Sequence, residues 1–482
     1  MTQLRALLPD CDVPASAGSS AVAGLACDSR AVTRGSVFFA VPGTKADGLS
    51  FAPAAVAKGA VAVVAERVPA QDLGVPVIIA KDVRAALSRA AALFYSAQPE
   101  VIAAVTGTSG KTSVASFVWQ IWAQQGKRAA ALGTTGLVGP DGATSASLTT
   151  PDPITLHHIL DEVARDGVTH LAMEASSHGL DQRRLDGVRL TTAGFTNLSR
   201  DHLDYHRDLE DYFAAKMRLF EDLLAPGQTA VVDADHEFSS RVVSICLKRG
   251  LKVMTTGRNG DALRLLKATA RADSTDITVL AQGKSFDIHL PLAGDFMVSN
   301  ALVAAGLCMA SGSDLDAVMQ ALAGLKGAPG RLEKIGTRKG APVFVDYAHK
   351  PDALEKVLAV LRPLVSGRLI LVFGCGGDRD AGKRPIMGEI AARLADLVII
   401  TDDNPRSEDP ARIRAEIKVA APKAREIADR AEAIRTAVAE LDHGDVLLVA
   451  GKGHETGQIF ADRTLPFSDH EAVRAALQEY AA

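Results

Sequence analysis

The segment Thr106-Gly-Thr-Ser-Gly-Lys-Thr112 holds the residues of this 482-residue chain best suited to phosphate chemistry. Gly107 and Gly110 allow a turn in which the N–H groups of the loop, Thr108 and Ser109 included, face an anion. Lys111 can reach β- and γ-phosphates, and the Thr112 hydroxyl is placed to ligate Mg²⁺. An apolar run, Val101 to Val105, reads as a buried strand before the loop, and a helical pattern over Ser113 to Gln125 follows it. That strand–loop–helix context is what the motif requires. The strict pattern has a further glycine five residues before Gly110. Val105 stands there, so the loop is a shortened variant; a plain glycine turn is the alternative.

Other reactive side chains fall at the ends of expected strands. Glu174 closes Val168 to Glu174, and Asn197 follows Ala193 to Thr196 and leads into Leu198 to His206, which contains His202. A carboxylate and histidines at strand ends beside a phosphate loop suit Mg²⁺ and nucleotide chemistry, although a lone histidine is more often structural. Asn300 suits either a purine edge or a helix N-cap. In the last third, four polar or glycine-rich loops each follow an expected strand: Asp346 to Pro351, Gly374 to Asp380, Thr401 to Arg406 and Gly451 to Glu455. Arg379 and Arg406 in these loops suit bidentate carboxylate recognition, with surface ion pairs as the alternative. The Gly374 loop departs from the dinucleotide pattern Gly-x-Gly-x-x-Gly. Near the N-terminus, Cys27 to Arg30 and Pro42 to Gly48 are polar loop clusters that solvated turns explain equally well.

These residues need strands to carry them. Short apolar runs alternate with helical patterns throughout, as in largely parallel, helix-covered sheets that gather ligands at the carboxyl ends of their strands. At roughly 150 residues per domain the length asks for three domains. Breakers at Gln98-Pro99 and at Gly327 to Arg331 place them at 1–98, a small α/β domain; 99–328, a central P-loop-type domain with a mostly parallel sheet; and 329–482, a Rossmann-like α/β domain. Leu263 to Leu292 reads as several short strands, an antiparallel extension of the central domain.

Composition is that of an ordinary globular chain, 47% apolar and 23% charged. A net charge of −4 gives no general attraction to nucleic acid or to anionic membrane. No apolar run reaches the ~20 residues of a membrane span, and the N-terminus lacks a signal pattern, so a cytoplasmic location is expected. Cys11, Cys27, Cys246, Cys308 and Cys375 are scattered, without the spacing of a zinc site or disulfide framework.

Together these motifs resemble those of the Mur ligases over essentially the whole chain. The resemblance implies that Thr106 to Thr112 is the ATP loop, with Asn300, Arg331 and Asp346 completing the ATP site and Arg331 lying at a hinge. It implies that Glu174 and His202 are Mg²⁺ positions. It also implies that Lys216, in Tyr212-Phe-Ala-Ala-Lys-Met, is carbamylated to an anionic Mg²⁺ ligand, where the sequence alone suggests a solvated helix lysine. The nucleotide-sugar peptide would fall on Ser29, Thr149, Thr150, Ser176, Gln182 and Arg184. The amino-acid site would fall on Arg379, Asp403, Asn404, Pro405, Arg406, Gly451 and Glu455, and Asp-Asn-Pro-Arg resembles the diaminopimelate-adding version of that loop. The implied activity is ATP- and Mg²⁺-dependent amide ligation of UDP-N-acetylmuramoyl-L-alanyl-D-glutamate to meso-diaminopimelate through an acyl phosphate, by a monomer. Rivals are the same reaction with L-lysine, a folylpolyglutamate-synthetase-like ligase, and a nucleotide-binding switch. Met297 departs from the family, which has asparagine there, so only Asn300 is carried over from that stretch.

Overall fold

The computed structural model describes residues 2–43, 47–144, 148–203, 205–271 and 273–480. Thr44, Lys45 and Ala46 of the Pro42–Gly48 loop, and Asp204 within Leu198–His206, lie outside the described residues. The chain is α/β, as expected, and packs as two compact units: Met1–Lys111 with Trp122–Thr255 and Gly306–Ser313, and Thr112–Ile121 with Thr256–Ala305 and Asp314–Ala482.

The first unit begins with a four-stranded parallel sheet, Gly24–Ala26, Ser36–Phe39, Ala62–Ala65 and Val77–Ile79 in that order. The middle strands are continuous apolar runs because both faces are covered: Val37 and Phe39 join one core with Leu4, Val22 and Leu87, and Phe38 joins the other with Ala52 and Ala55. The helix Val83–Phe94 starts where Asp82 caps the N–H of Ala85 at 3.0 Å.

The larger sheet of this unit sets the positions that matter for function. Val101–Thr106 lies between His170–Glu174 and Thr192–Phe195, with Ala129–Gly133 beyond the former and Thr229–Asp233 beyond the latter. All of these neighbours are parallel, with Glu174 opposite Val105 and Phe195 opposite Thr106. Parallel pairing brings every carboxyl end to one edge, so the loops after Thr106, Gly133, Glu174 and Phe195 are adjacent. The helices returning the chain bury Leu156, Leu160, Phe213, Met217 and Phe220 against Ile102, Leu132, Leu171 and Phe195.

The second unit contains an antiparallel meander, Leu263–Ala270, Thr275–Ala281 and Lys284–Leu290, the antiparallel strands expected over Leu263 to Leu292. Its C-terminal sheet orders the strands Glu333–Arg338, Ala341–Asp346, Val446–Ala450, Leu369–Phe373, Leu397–Ile400 and Arg425–Glu426. All but the first run parallel. Asp346 and Phe373 both pair with Ala450, and Phe373 also pairs with Ile400, which brings the four loops singled out above to one edge.

An N-cap at Asn300 would start a helix at Ala301, but the helix spans Asp295–Ala310. Gly294, at φ +96°, lets the chain turn directly into it, and Met297 and Val298 bury in its first turns. Asn300 is therefore inside a helix and buried, which removes the N-cap reading.

Candidate active site

The phosphate loop is shaped by the neighbouring strand's exit as much as by its own glycines. Gly107 sits at φ +150° and Gly110 at φ +86°, and a Cβ on Gly107 would run into the Thr196 hydroxyl and the backbone of Asn197. Thr108 N–H donates to the Asn197 carbonyl at 2.9 Å, and Ser109 N–H donates to Asn197 Oδ1 at 3.0 Å. The Thr196 hydroxyl donates to the Ser109 carbonyl at 2.7 Å, and Ser199 N–H donates to Thr108 Oγ1 at 3.0 Å. Lys111 opens the helix Lys111–Gln124 and folds back, its Nζ donating to the carbonyls of Gly107 and Thr108, each at 2.9 Å. Thr112 is buried in the same first turn.

Lys216 is not the solvated helix lysine that sequence alone suggests. The helix Leu209–Arg218, capped by Asp208 on the N–H of Asp211 at 2.8 Å, directs it inward until it is 1% exposed. Its Nζ donates to the Gly107 carbonyl at 2.8 Å and lies 4.3 Å above the centre of the Tyr212 ring. Two lysines thus share one carbonyl oxygen. Burial, and then the charge of Lys111, pushes the Lys216 ammonium well below the usual lysine range, with Asp201 opposing.

Glu174 is also buried, at the end of its strand. Its Oε1 accepts from Thr134 N–H at 2.7 Å and its Oε2 from the Thr134 hydroxyl at 3.2 Å. Gly133 leaves room for it, since a Cβ there would strike the carboxylate. His202 occupies a left-handed conformation, φ +54°, rare for a residue with a side chain. Its ring lies edge-on to His178, 4.9 Å between centres. Among the described residues no group of three or more His, Cys, Asp and Glu side chains converges as a metal site.

The residues expected around the nucleotide-sugar peptide divide. Thr150 Oγ1 donates to the Glu174 carbonyl at 2.9 Å and accepts from Ser176 Oγ at 3.0 Å. Arg184 donates to the Thr150 carbonyl at 2.5 Å and to Gln182 Oε1 at 2.7 Å, and Gln182 donates to the Tyr205 hydroxyl at 3.2 Å. Thr149 and Thr134 share a hydroxyl–hydroxyl hydrogen bond of 2.9 Å. These five form one polar surface beside Glu174; Ser29 lies in the turn after Gly24–Ala26, where Arg30 pairs with Asp28 at 2.6 Å.

The second unit carries a separate cluster. Asp346 is buried and accepts from Leu332 N–H at 2.6 Å and Ala348 N–H at 2.7 Å; burial raises its pKa above the ordinary carboxylate value. Arg331 stacks on Tyr347, 4.8 Å from guanidinium carbon to ring centre. Arg406, at φ +52°, donates to the Gly377 carbonyl at 2.8 Å, and Gly377 N–H donates to the Asn404 carbonyl at 2.9 Å. Gly377 admits no side chain, because a Cβ would strike the carbonyl of Pro405. Asn404 Nδ2 donates to Glu455 Oε2 at 2.8 Å. Gly451, at φ +120°, keeps space beside the carboxylate of Asp403. Arg379 is exposed in the Gly374 loop.

Three family models together span most of the chain: Mur ligase family, catalytic domain, over residues 21–95; Mur ligase middle domain over 105–308; and Mur ligase, glutamate ligase domain, over 330–453. The chain belongs to the Mur ligase family. A UDP-N-acetylmuramoyl-L-alanyl-D-glutamate–2,6-diaminopimelate ligase of Bradyrhizobium diazoefficiens is 59% identical over 460 residues, covering 95% of each chain. The corresponding ligase of Agrobacterium fabrum is 58% identical, covering 96% of this chain and 94% of its own. A solved structure of a ligase with the same name superposes with a TM-score of 0.74 at 35% identity, over 100% of this chain and 99% of that one. In this Mur ligase Val105, where the strict pattern has glycine, lies within the strand Val101–Thr106, and the turn after it is seated on Thr196 to Ser199.

Sequence reasoning missed several members of the two clusters. Thr134 holds both oxygens of Glu174, and its signal was Gly-Thr-Thr-Gly at the end of the strand Ala129–Gly133. Tyr205 joins Gln182 to Asp181, which accepts from its hydroxyl at 2.6 Å. Lys452, within the Gly451 loop, is 0% exposed and touches both Asn404 and Glu455.

Proposed function

We propose that this Mur ligase couples ATP cleavage to amide formation between the D-glutamyl carboxylate of UDP-N-acetylmuramoyl-L-alanyl-D-glutamate and an amine of meso-diaminopimelate. The observation that supports the chemistry best is the convergence of Lys111 and Lys216 on the Gly107 carbonyl, with Glu174 on the adjacent strand end. The identity of the second substrate is supported by the Asp403-Asn-Pro-Arg406 loop and by the names of relatives at 48–59% identity.

The D-glutamyl carboxylate attacks the γ-phosphorus of ATP and ADP leaves. The amine then attacks the resulting acyl phosphate, forming the amide and releasing phosphate and a proton. Such transfers need positioning and charge neutralisation more than acid–base chemistry. Gly107 to Gly110 bind the phosphates once the N–H groups of Thr108 and Ser109 leave Asn197, and Lys111 turns from its own loop to the β/γ-phosphates. The family resemblance assigns Asn300, Arg331 and Asp346 to the nucleotide as well.

The residues present suit Mg²⁺. A buried lysine held away from its charged form is a free amine able to take up CO₂ and lose a proton, giving a carbamate and placing an anion beside Lys111 where a neutral amine stood. Thr112, Glu174, His202 and carbamylated Lys216 would hold the ion, and the small number of carboxylates matches a metal that retains waters and substrate phosphates as ligands. When bound, it would neutralise charge on the transferring phosphoryl group.

Thr149, Thr150, Ser176, Gln182 and Arg184, together with Ser29, bind the nucleotide-sugar peptide. Asp403, Asn404, Pro405, Arg406, Arg379, Gly451 and Glu455 bind the amino acid, with Arg406 taking the carboxylate of the stereocentre remote from the reaction. Residues 1–98, 99–328 and 329–482 serve as the nucleotide-sugar, ATP and amino-acid domains. The enzyme acts as a monomer in the cytoplasm.

The test is phosphate release with ATP, Mg²⁺ and the nucleotide dipeptide, comparing meso-diaminopimelate, its stereoisomers and L-lysine. Dependence on the meso isomer is expected. Equal turnover with L-lysine would reassign the acceptor, and release needing neither co-substrate would point to a nucleotide switch.

A further inference from the structure

Lys452 belongs to neither list of expected binding residues, yet it is fully buried at the amino-acid cluster. Its Nζ donates to Asn404 Oδ1 at 2.9 Å and to Glu455 Oε2 at 3.0 Å. Asn404 closes the triangle by donating from Nδ2 to the same Glu455 oxygen at 2.8 Å, and Ile459 N–H adds a second donor to Asn404 Oδ1 at 3.0 Å. Two donors on Oδ1 and a carboxylate on Nδ2 leave the amide one orientation. Glu455 is part-exposed, its side chain 31% accessible, and both partners occupy Oε2, so Oε1 is the oxygen available to a ligand.

We propose that Lys452 is a positioning residue for the amino-acid substrate: it fixes Asn404 and Glu455 so that Glu455 presents one oxygen to the substrate's ammonium group. This rests on the assignment of Asn404 and Glu455 to that substrate. A buried lysine is tolerated only where its charge is paired and hydrogen-bonded, and among the described residues the carboxylate paired with it is one that the substrate must also use. Without the ammonium, Glu455 loses one of the two groups that hold Oε2 and regains rotamer freedom, which a bound amine then has to remove.

The experiment measures KM for all three substrates in Lys452→Met, in Glu455→Gln and in the double variant. Lys452→Met should raise KM for the amino acid at least tenfold while KM for ATP and for the nucleotide dipeptide stays within twofold. In the Glu455→Gln background the same change should add less than twofold, because the residue through which Lys452 acts is already altered. A merely structural lysine would raise all three constants together, or multiply the Glu455→Gln defect by the same factor in the double variant; either result overturns the proposal. If Lys452→Met does not fold, Lys452→Gln, which keeps a donor but no charge, is expected to give a smaller rise with the same selectivity and is judged by the same criteria. The wild-type assay separates the two ideas: an acceptor other than diaminopimelate changes the substrate assignment, and the variants are then measured with that acceptor.

Discussion

Arg430 and Asp469 meet where neither side chain reaches solvent, Nε and Nη2 donating to the two carboxylate oxygens at 2.7 Å each. The same Nη2 donates to the carbonyl of Ala450 at 3.0 Å, directly before Gly451. Removing one partner strands a buried charge, so Asp469→Ala should lower unfolding free energy by about 3–5 kcal/mol. An Arg430→Met, Asp469→Leu double variant should recover much of that loss, because apolar packing replaces the pair at little net cost. Urea denaturation followed by circular dichroism measures both.

Gly107→Ala should weaken nucleotide binding and lower turnover while leaving the rest of the sheet intact. The added methyl collides with Thr196 and Asn197, and displacing a phosphate cradle by about 1 Å costs on the order of 10²-fold in rate. Fluorescent ATP-analogue binding and phosphate release together check this. Binding at the wild-type level would remove the loop from its assigned role.

Lys216→Ala should reduce turnover by about 10²-fold or more, the size of effect seen when one preorganised electrostatic group is lost. Acetate or propionate, added at tens of millimolar as an order of magnitude, should restore part of the rate by supplying the missing anion. Wild-type turnover in Lys216→Ala would exclude the carbamate.

Arg406→Ala should raise the apparent KM for diaminopimelate roughly 10- to 100-fold, the worth of a charge-assisted hydrogen-bonded pair, with the KM for ATP nearly unchanged. Parallel rises in both constants would mean that the variant has instead loosened the loops that Arg406 ties through Gly377.

Acid should destabilise the first unit through His157. This residue is buried in the helix Pro153–Arg165 against Gly187, and burial, with a smaller contribution from Arg189, pushes its pKa down to about 4. The unfolded chain titrates near 6.5 and binds the proton more readily, so stability is complete above about pH 6.5 and falls as pH drops towards 4. With each tenfold change in proton affinity worth about 1.4 kcal/mol, the full loss is about 3 kcal/mol. His157→Leu should remove that part of the pH dependence in denaturation curves taken between pH 7 and pH 4.

Much of the architecture was legible from short-range pattern. Apolar runs marked the parallel strands, and polar loops after them marked the active edge, because a parallel sheet converts sequence position at a strand end into spatial adjacency. The helix start at Asp295 was not legible, since Asp-Phe-Met-Val-Ser-Asn lacks the breaker that would separate it from a turn, and Gly294 alone set the boundary. The burial of Lys216 was hidden for a different reason: its partner, the Gly107 carbonyl, is 109 residues away in the chain. Thr134 was overlooked because it supports Glu174 from another strand end, a pairing fixed by sheet order rather than by spacing, and Lys452 because its contact with Asn404 spans 48 residues of chain although Glu455 is only three residues away.

The seat of the phosphate loop also bears on how the molecule is made. Thr108 and Ser109 find their partners 87 to 91 residues further along, at Thr196, Asn197 and Ser199. A nascent chain that has emerged only as far as the loop and its helix carries the motif without the surface that shapes it. Nucleotide capture during synthesis therefore reports completion of the strand Thr192–Phe195, not the appearance of the motif.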